Sequence, residues 1–232
     1  HQMGLYQRDL TTFDEEVIID NRQTDYNCIN CHSFRMHGSD NMLFHMRATH
    51  GGTYVWTRGK LEKIDGKVSE GIQSLVYPYW HSSGNYVAFS TNKTNQMFHM
   101  KDKNRIEVFD AASEVLVYDV KNHRVLTDSL LFSKDAFETF PSFSPDGKTL
   151  YFSSAKAQQM PKDYRKVKYS LCSISFDAEQ GRFGKQVDTL FSAEKEGKTA
   201  ILPRVSPDGR FLAFTQADYG NFAIWHKEAD LY

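Results

Sequence analysis

Nowhere does this sequence string together enough apolar residues to cross a bilayer as a helix, and no leader with a basic start and an apolar middle is present. Neither sign of charge is in excess. Lys plus Arg is 28 and Asp plus Glu is 29, and no basic run breaks the balance, which argues against nucleic acid as a partner. Hydrolytic machinery is missing too: there is no G-x-S-x-G elbow, and no paired-carboxylate or Ser-His-Asp arrangement can be picked out. Proline is scarce at six and cysteine at three, yet both are placed in patterns. The chain opens on His1 rather than Met, which fits a mature or trimmed product.

What is abundant is aromatic: 17 Phe and 12 Tyr, the currency of sheets that pack face to face. The stretch Thr139–Ser154 reads T-F-P-S-F-S-P-D-G-K-T-L-Y-F-S-S. Pro145 presets φ for the first corner of a turn, Asp146 suits the second, and Gly147 can take the positive φ that follows. Beyond it, Leu150 and Phe152 alternate with Thr149, Tyr151 and Ser153, the period of a strand. This predicts a β-hairpin.

The hairpin recurs at residues 77–90 and 202–215, with Pro78, Pro141 and Pro203 lying 63 and then 62 residues apart. A fixed period of that size indicates an array of like units, none able to bury its apolar faces alone. A second strand pair follows each full hairpin: Val115–Val120 with Arg124–Asp128, and Ser170–Phe176 with Phe183–Leu190. Four antiparallel strands per unit make the blade of a β-propeller. The F-S-P-D-G-K-x-L-x-F-S repeat resembles the Pro-Asp repeat of TolB-type propellers, themselves similar to WD-repeat propellers, and the resemblance covers roughly residues 76–232. In one copy, His81-Ser82-Ser83-Gly84 has lost both Pro and Asp.

The expected fold is therefore all-β, an arc of four-stranded blades within a larger propeller. Residues 1–27 hold the outer strand of a preceding or closing blade, around Glu15–Asp20. Residues 28–75 form a blade, residues 76–138 and 139–200 the next two, and residues 201–232 an incomplete one. Trp80, Phe89, Phe143, Phe152, Val205 and Phe214 are expected between the sheets. Residues 92–113 read as a long loop containing Met97, His99 and Met100, and residues 155–168 as a second insertion with Lys162, Arg165, Lys166 and Lys168 on a solvated face.

The first blade opens on Cys28-Ile29-Asn30-Cys31-His32, which fits C-x-x-C-H, the attachment signature of c-type haem. A chance match in a chain of this length is on the order of one in a thousand. The five residues resemble a c-type cytochrome site. The resemblance implies haem c on Cys28 and Cys31 with His32 as proximal ligand, and an exported, periplasmic or otherwise extracytoplasmic protein with a redox or electron-transfer role. The helices that wrap haem in a cytochrome c domain are absent here. A second iron ligand would come from His37, His45, His50, Met36, Met46 or the 97–100 stretch, and His45 is favoured because it follows Phe44 in the next strand. Two other readings of the motif stay open: a C-x-x-C disulfide or redox pair, and a structural thiol pair or bound zinc. Zinc is disfavoured because the adjacent Cys31 and His32 would struggle to ligate one ion.

Elsewhere the residues point to packing. Cys172 shares a strand face with Ile174 and Phe176 and reads as a core thiol. His81 and His226 follow Trp80 and Trp225 and read as histidines packed on aromatics. Asn92-Lys93-Thr94 matches the glycosylation pattern. Two functions from different classes remain: a haem-bearing redox propeller, and a haem-free propeller that binds a protein or ligand at its loop face.

Overall fold

A computed structural model describes residues 3–38, 40–64 and 75–232, with the side chain of His37 outside that description. Its seventeen strands form one two-stranded ribbon and four larger sheets. The ribbon pairs β1 (Gly4–Arg8) with β2 (Glu15–Asp20). Sheet one is β3 (Ile29–Phe34), β4 (Asn41–Met46), β5 (Gly52–Thr57) and β6 (Lys60–Ile64). Sheet two is β7 (Val76–Trp80), β8 (Tyr86–Phe98), β9 (Ile106–Asp119) and β10 (Arg124–Leu126). Sheet three is β11 (Ala136–Phe143), β12 (Thr149–Lys156), β13 (Ser170–Asp177) and β14 (Arg182–Phe191). Sheet four is β15 (Thr199–Val205), β16 (Leu212–Ala217) and β17 (Asp230–Leu231). Every pairing is antiparallel between sequence neighbours, the meander of a propeller blade. The opening strands β3, β7, β11 and β15 lie side by side, so the sheets fan out as an arc.

Alternation in each strand supplies both faces of the arc. Leu43 and Ile64 of sheet one meet Trp80, Val87, Phe89 and Leu116 of sheet two. Ala88, Val115 and Val117 on the other side meet Phe143, Leu150, Phe152 and Cys172 of sheet three. Phe137, Phe140, Ala155 and Tyr169 meet Ile201, Ala217 and Ala223. Cys172 is the core thiol its alternation predicts, and burial pushes its pKa to about 11. Each fully buried Phe contributes roughly 2–3 kcal/mol. Val205 and Phe214 are only half-buried, contrary to expectation. Phe214 packs on Phe191 of sheet three and on Tyr232 beside its own sheet.

The turns behave as their residues dictate. Gly147 and Gly209 have φ of 74° and 73°. Ser144 N–H donates to Thr149 O and Gly147 N–H to Ser144 O, and Ser206, Phe211 and Gly209 repeat the pattern. His81-Ser82-Ser83-Gly84 makes the same two backbone bonds despite losing Pro and Asp. There Ser83 Oγ stands in for the missing carboxylate, accepting from Asn85 N–H at 3.2 Å as Asp146 Oδ1 does from Lys148 N–H, while the His81 ring accepts from Ser83 N–H at Nδ1 (3.0 Å) and donates from Nε2 to Gly147 O (3.0 Å).

Two expectations are corrected. Residues 92–113 are not a loop, because β8 and β9 stay paired out to Phe98 and Ile106. The polar, threonine- and asparagine-rich sequence hides the strands because this half of the hairpin leaves the core. At the N-terminus the ribbon adds β1 to the strand read at Glu15–Asp20. Its Leu5, Ile18 and Ile19 cover Ile29, Met42, Phe44 and Met46 on the far face of sheet one.

Candidate functional site: the bulge of the first sheet

Each opening strand carries a β-bulge with a non-glycine residue in the left-handed region. These residues are Cys31 (φ 53°), Tyr77 (51°), Phe140 (54°) and Leu202 (57°), each within a register shift. The next residue is Pro78, Pro141 or Pro203 in three of the four cases, suited to a position where the ladder asks for no N–H. In the first sheet it is His32. The C-x-x-C-H motif is thus the first sheet's version of a device every sheet has. The bulge turns its leading side chain toward the neighbouring sheet, as Tyr77 shows by meeting Phe140 with ring centroids 4.6 Å apart.

Cys31, His45, Arg47, Asn30, Tyr77 and Gln96 border one cavity of about 820 Å³, with Val108 and Phe222 among its apolar walls. The outer halves of β8 and β9 form one side of it. Burial pushes the Cys31 thiol up, while Tyr77 N–H and the charge of Arg47 pull the other way. Cys28 is half-buried, with its Sγ 3.8 Å from Met3 Sδ, and neither it nor Cys31 is in a disulfide. Burial, with the Asp110 charge adding, pushes the Tyr77 phenol up.

His45 is buried at 7% exposure on the same sheet face as Leu43. Thr53 Oγ1 spends its one proton on Leu75 O at 2.8 Å, so toward His45 Nδ1, 3.1 Å away, it accepts. That fixes the tautomer with the proton on Nδ1 and a bare lone pair on Nε2. Nε2 has no hydrogen-bond partner among the described residues. Burial, and secondarily Arg47, lowers the ring's pKa to about 4, so it is neutral near pH 7. Arg47 N–H donates to Cys28 O at 3.0 Å, which ties the end of β4 to the start of the motif.

His32 lies elsewhere. It is exposed, sets its ring edge against Phe34 at 5.7 Å, and borders a second cavity of about 440 Å³ with Met36, Trp80, His81 and Phe143. The two cavities share no lining residue. The fold therefore brings Cys31 and His45 together and does not bring His32 to them.

The remaining ligand candidates divide plainly. His50 is held by Asp25 at 2.8 Å, Met46 is packed under the ribbon, and Met100 projects into solvent. His37's side chain lies outside the described residues. His81 uses both ring nitrogens and packs on Phe143 and Tyr86, and His226 packs on Tyr219 and pairs with Glu107, a pairing the sequence reading did not anticipate. Asn92 spends its amide on Asp110 at 2.6 Å and Thr139 at 3.2 Å, so the sequon does not present it. In the basic stretch, Arg165 lies against Asp102, and Lys166 meets Asp163 at 2.9 Å. Arg47 is the residue sequence reading missed. Its signal was the H-x-R spacing, which carries an arginine to the cavity one residue past the strand that orients His45.

No family model matches the chain, and no curated protein matches it. Solved structures do share its fold. TolB from Acinetobacter baumannii is 14% identical with a TM-score of 0.53, over 90% of this chain and 42% of that one. The GH74 xyloglucanase from Xanthomonas campestris is 11% identical with a TM-score of 0.54, over 98% of this chain and 32% of that one. A puromycin-hydrolyzing peptidase of Mycobacterium tuberculosis is 14% identical with a TM-score of 0.50, over 82% and 28%. At these identities the likeness is one of fold: this chain is a TolB-like β-propeller arc spanning less than half of each structure. Among the described residues no helix is long and apolar enough to cross a membrane.

Proposed function

We propose that this propeller arc carries haem c at the first sheet and has a redox-linked, electron-transfer role outside the cytoplasm, where haem c is attached. The observation that carries the reading is His45: a neutral imidazole with its Nε2 lone pair free, bordering the same cavity as the unbridged Cys31. Of the residues that would hold haem c, Cys31 and His45 border this cavity, whereas Cys28 does not line it and His32 lines the other. Cys28 and Cys31 would hold it through thioethers, and His45 would supply an imidazole to the iron. The cavity holds about 820 Å³, with Val76, Val108 and Phe222 among its apolar walls and Asn92, Thr94, Asn95 and Gln96 among its polar ones. When bound, haem supplies one-electron chemistry. The chain's own residues set its surroundings: Thr53 holds the tautomer of His45, and the Arg47–Cys28 backbone bond holds the motif against β4. His32, the motif's own ligand, would need residues 28–32 to take a different local path from the bulge described above.

Production with cytochrome maturation machinery tests the reading. The expected product is red, has a Soret band, and keeps its haem through denaturing electrophoresis unless Cys28 and Cys31 are replaced by Ala. His45→Ala should change the band position more than His32→Ala. A colourless wild-type product would end the reading. It would favour the alternative, a haem-free module that binds a protein at its loop face. Phe98 and Met100, 72% and 88% exposed at the end of the β8–β9 hairpin, are what favour that second reading.

A further inference from the structure

Two kinds of sulfur meet beside the first sheet, and the ribbon brings them together. Cys28 Sγ–H donates to Met3 Sδ at 3.8 Å, across 25 positions of sequence. Met3 is set there by its backbone: its N–H donates to Asn21 Oδ1 at 3.1 Å, and its carbonyl accepts from Asn21 N–H at 2.8 Å. Asn21 is itself buried, and Cys28 O is held by Arg47 N–H at 3.0 Å, so both sulfur-bearing residues are fixed at the main chain. Cys31 follows at the bulge, near enough that a charge on Cys28 acts on its thiol. Neither cysteine is in a disulfide. Cys28 is half-buried and Met3 is 44% exposed, so an ion can reach the sulfurs from solvent. Met3 lies outside the C-x-x-C-H motif and has no part in holding haem.

The thioether lone pair of Met3 faces the place where the Cys28 proton sits, so a cation that replaces this proton lies between two sulfurs. Metal–sulfur bonds of about 2.3 Å that open to about 110–120° put their sulfurs about 3.8–4.0 Å apart, so the observed separation needs little adjustment. The donors decide which ion. Among the described residues no three His, Cys, Asp or Glu side chains stand where they could share a metal ion, so zinc lacks the four-ligand set it takes. Thiolate and thioether are soft donors, and they select copper(I), which accepts a low coordination number. His32 does not enter, since its ring borders the second cavity. We propose that Met3, Cys28 and Cys31 form a three-sulfur site for copper(I) in the chain before any haem is attached. On binding, the two S–H protons leave to solvent, S–Cu bonds take their place, and no electron is transferred.

The test uses the full chain, made without cytochrome maturation machinery and kept reduced. Its probe is copper(I) bicinchoninate, whose colour fades as the ion is withdrawn. The wild-type chain should withdraw a single copper(I), and X-ray absorption at the copper edge should show a shell of sulfur alone. Cys28→Ser and Cys31→Ser should each lose this uptake. Met3→Leu, which keeps the apolar bulk of the side chain, should weaken binding by about tenfold or more. Met36→Leu, at an exposed methionine beside the other cavity, should leave the affinity unchanged. Zinc(II) should not compete. A wild-type chain that withdraws no copper, a Met3→Leu chain that binds as tightly as wild type, or nitrogen or oxygen in the copper shell overturns the site. Haem thioethers would use the same two sulfurs, so the two readings fail separately. A red product from the maturation system, with no copper uptake by the haem-free chain, strikes this site alone. A colourless product whose chain takes up copper strikes the haem reading alone.

Discussion

At Gly147 a Cβ would lie 2.1 Å from His81 Nε2, whereas at Gly209 it would meet nothing within 4 Å. The two glycines occupy the same turn with the same φ, so they separate backbone strain from collision. Gly209→Ala should cost about 1 kcal/mol, the strain alone. Gly147→Ala should cost about 2–3 kcal/mol more, because His81 must leave its bond to Gly147 O and the aromatic cluster of Tyr86, Phe143 and Phe176 around it. Urea denaturation of the two variants measures the difference, and equal costs would remove His81 from the account. A second residue-scale effect comes from Glu138. Burial raises its carboxyl from 4.5 to about 7, with Ser154 lowering it and Glu114 raising it further. The folded chain keeps a proton there that the unfolded chain releases near 4.5, so stability falls as pH climbs from about 4.5 through about 7. Glu138→Gln should therefore raise Tm at about pH 8 and leave it nearly unchanged at about pH 4.5. A gain of equal size at both would contradict the assignment.

At the scale of elements, the β8–β9 hairpin works as a strap. Its outer half extends beyond the rest of sheet two and is fastened to the connection between β16 and β17 of sheet four. Glu107 pairs with His226 at 2.9 Å and accepts from Tyr219, Asn104 donates to Glu228 at 3.4 Å, and Asp110 accepts from Asn221. Glu107 is 2% exposed and His226 6%. Deleting one partner of such a pair leaves the other buried and unmatched, so Glu107→Ala should destabilise by about 3–5 kcal/mol. A double-mutant cycle with Tyr219→Phe should show coupling, and a loss under about 1 kcal/mol would show that the latch does not hold the strap. The sequence concealed this element for a physical reason. Residues such as Asn92, Thr94, Asn95 and Gln96 have neither the alternation nor the apolar content of a packed strand. They are held by a partner strand, which is itself fastened at Glu107 and Asp110 to side chains more than a hundred positions away. The hairpins with Ser-Pro-Asp-Gly turns were legible because their conformation is set by the four residues that make the turn.

For the molecule as a whole, the repeat of Pro78, Pro141 and Pro203 announced the arc, and the two cysteines announced where the first sheet departs from it. What could not be read was direction. Cys31 and His32 are adjacent in the motif, yet the bulge gives one to each of two cavities, and no spacing rule conveys a left-handed φ of 53° at a cysteine. The same bulge explains why the motif tolerates a sheet at all: where the other sheets place an aromatic or leucine followed by proline, this one places a thiol followed by an imidazole.

The strap also carries a consequence in time. Glu107 leaves the ribosome 119 residues before His226, an interval on the order of ten seconds at ordinary rates of synthesis. Through that interval sheets one, two and three can assemble in order from what has been made. The outer hairpin can meet only part of its partners, Tyr164 and Arg165 among them, since Tyr219, Asn221 and His226 have not yet been made. A nascent chain halted shortly before residue 219 should thus hold a protected body and a hairpin that a protease cuts between Thr94 and Asp110. The same chain extended through residue 232 should resist that cut.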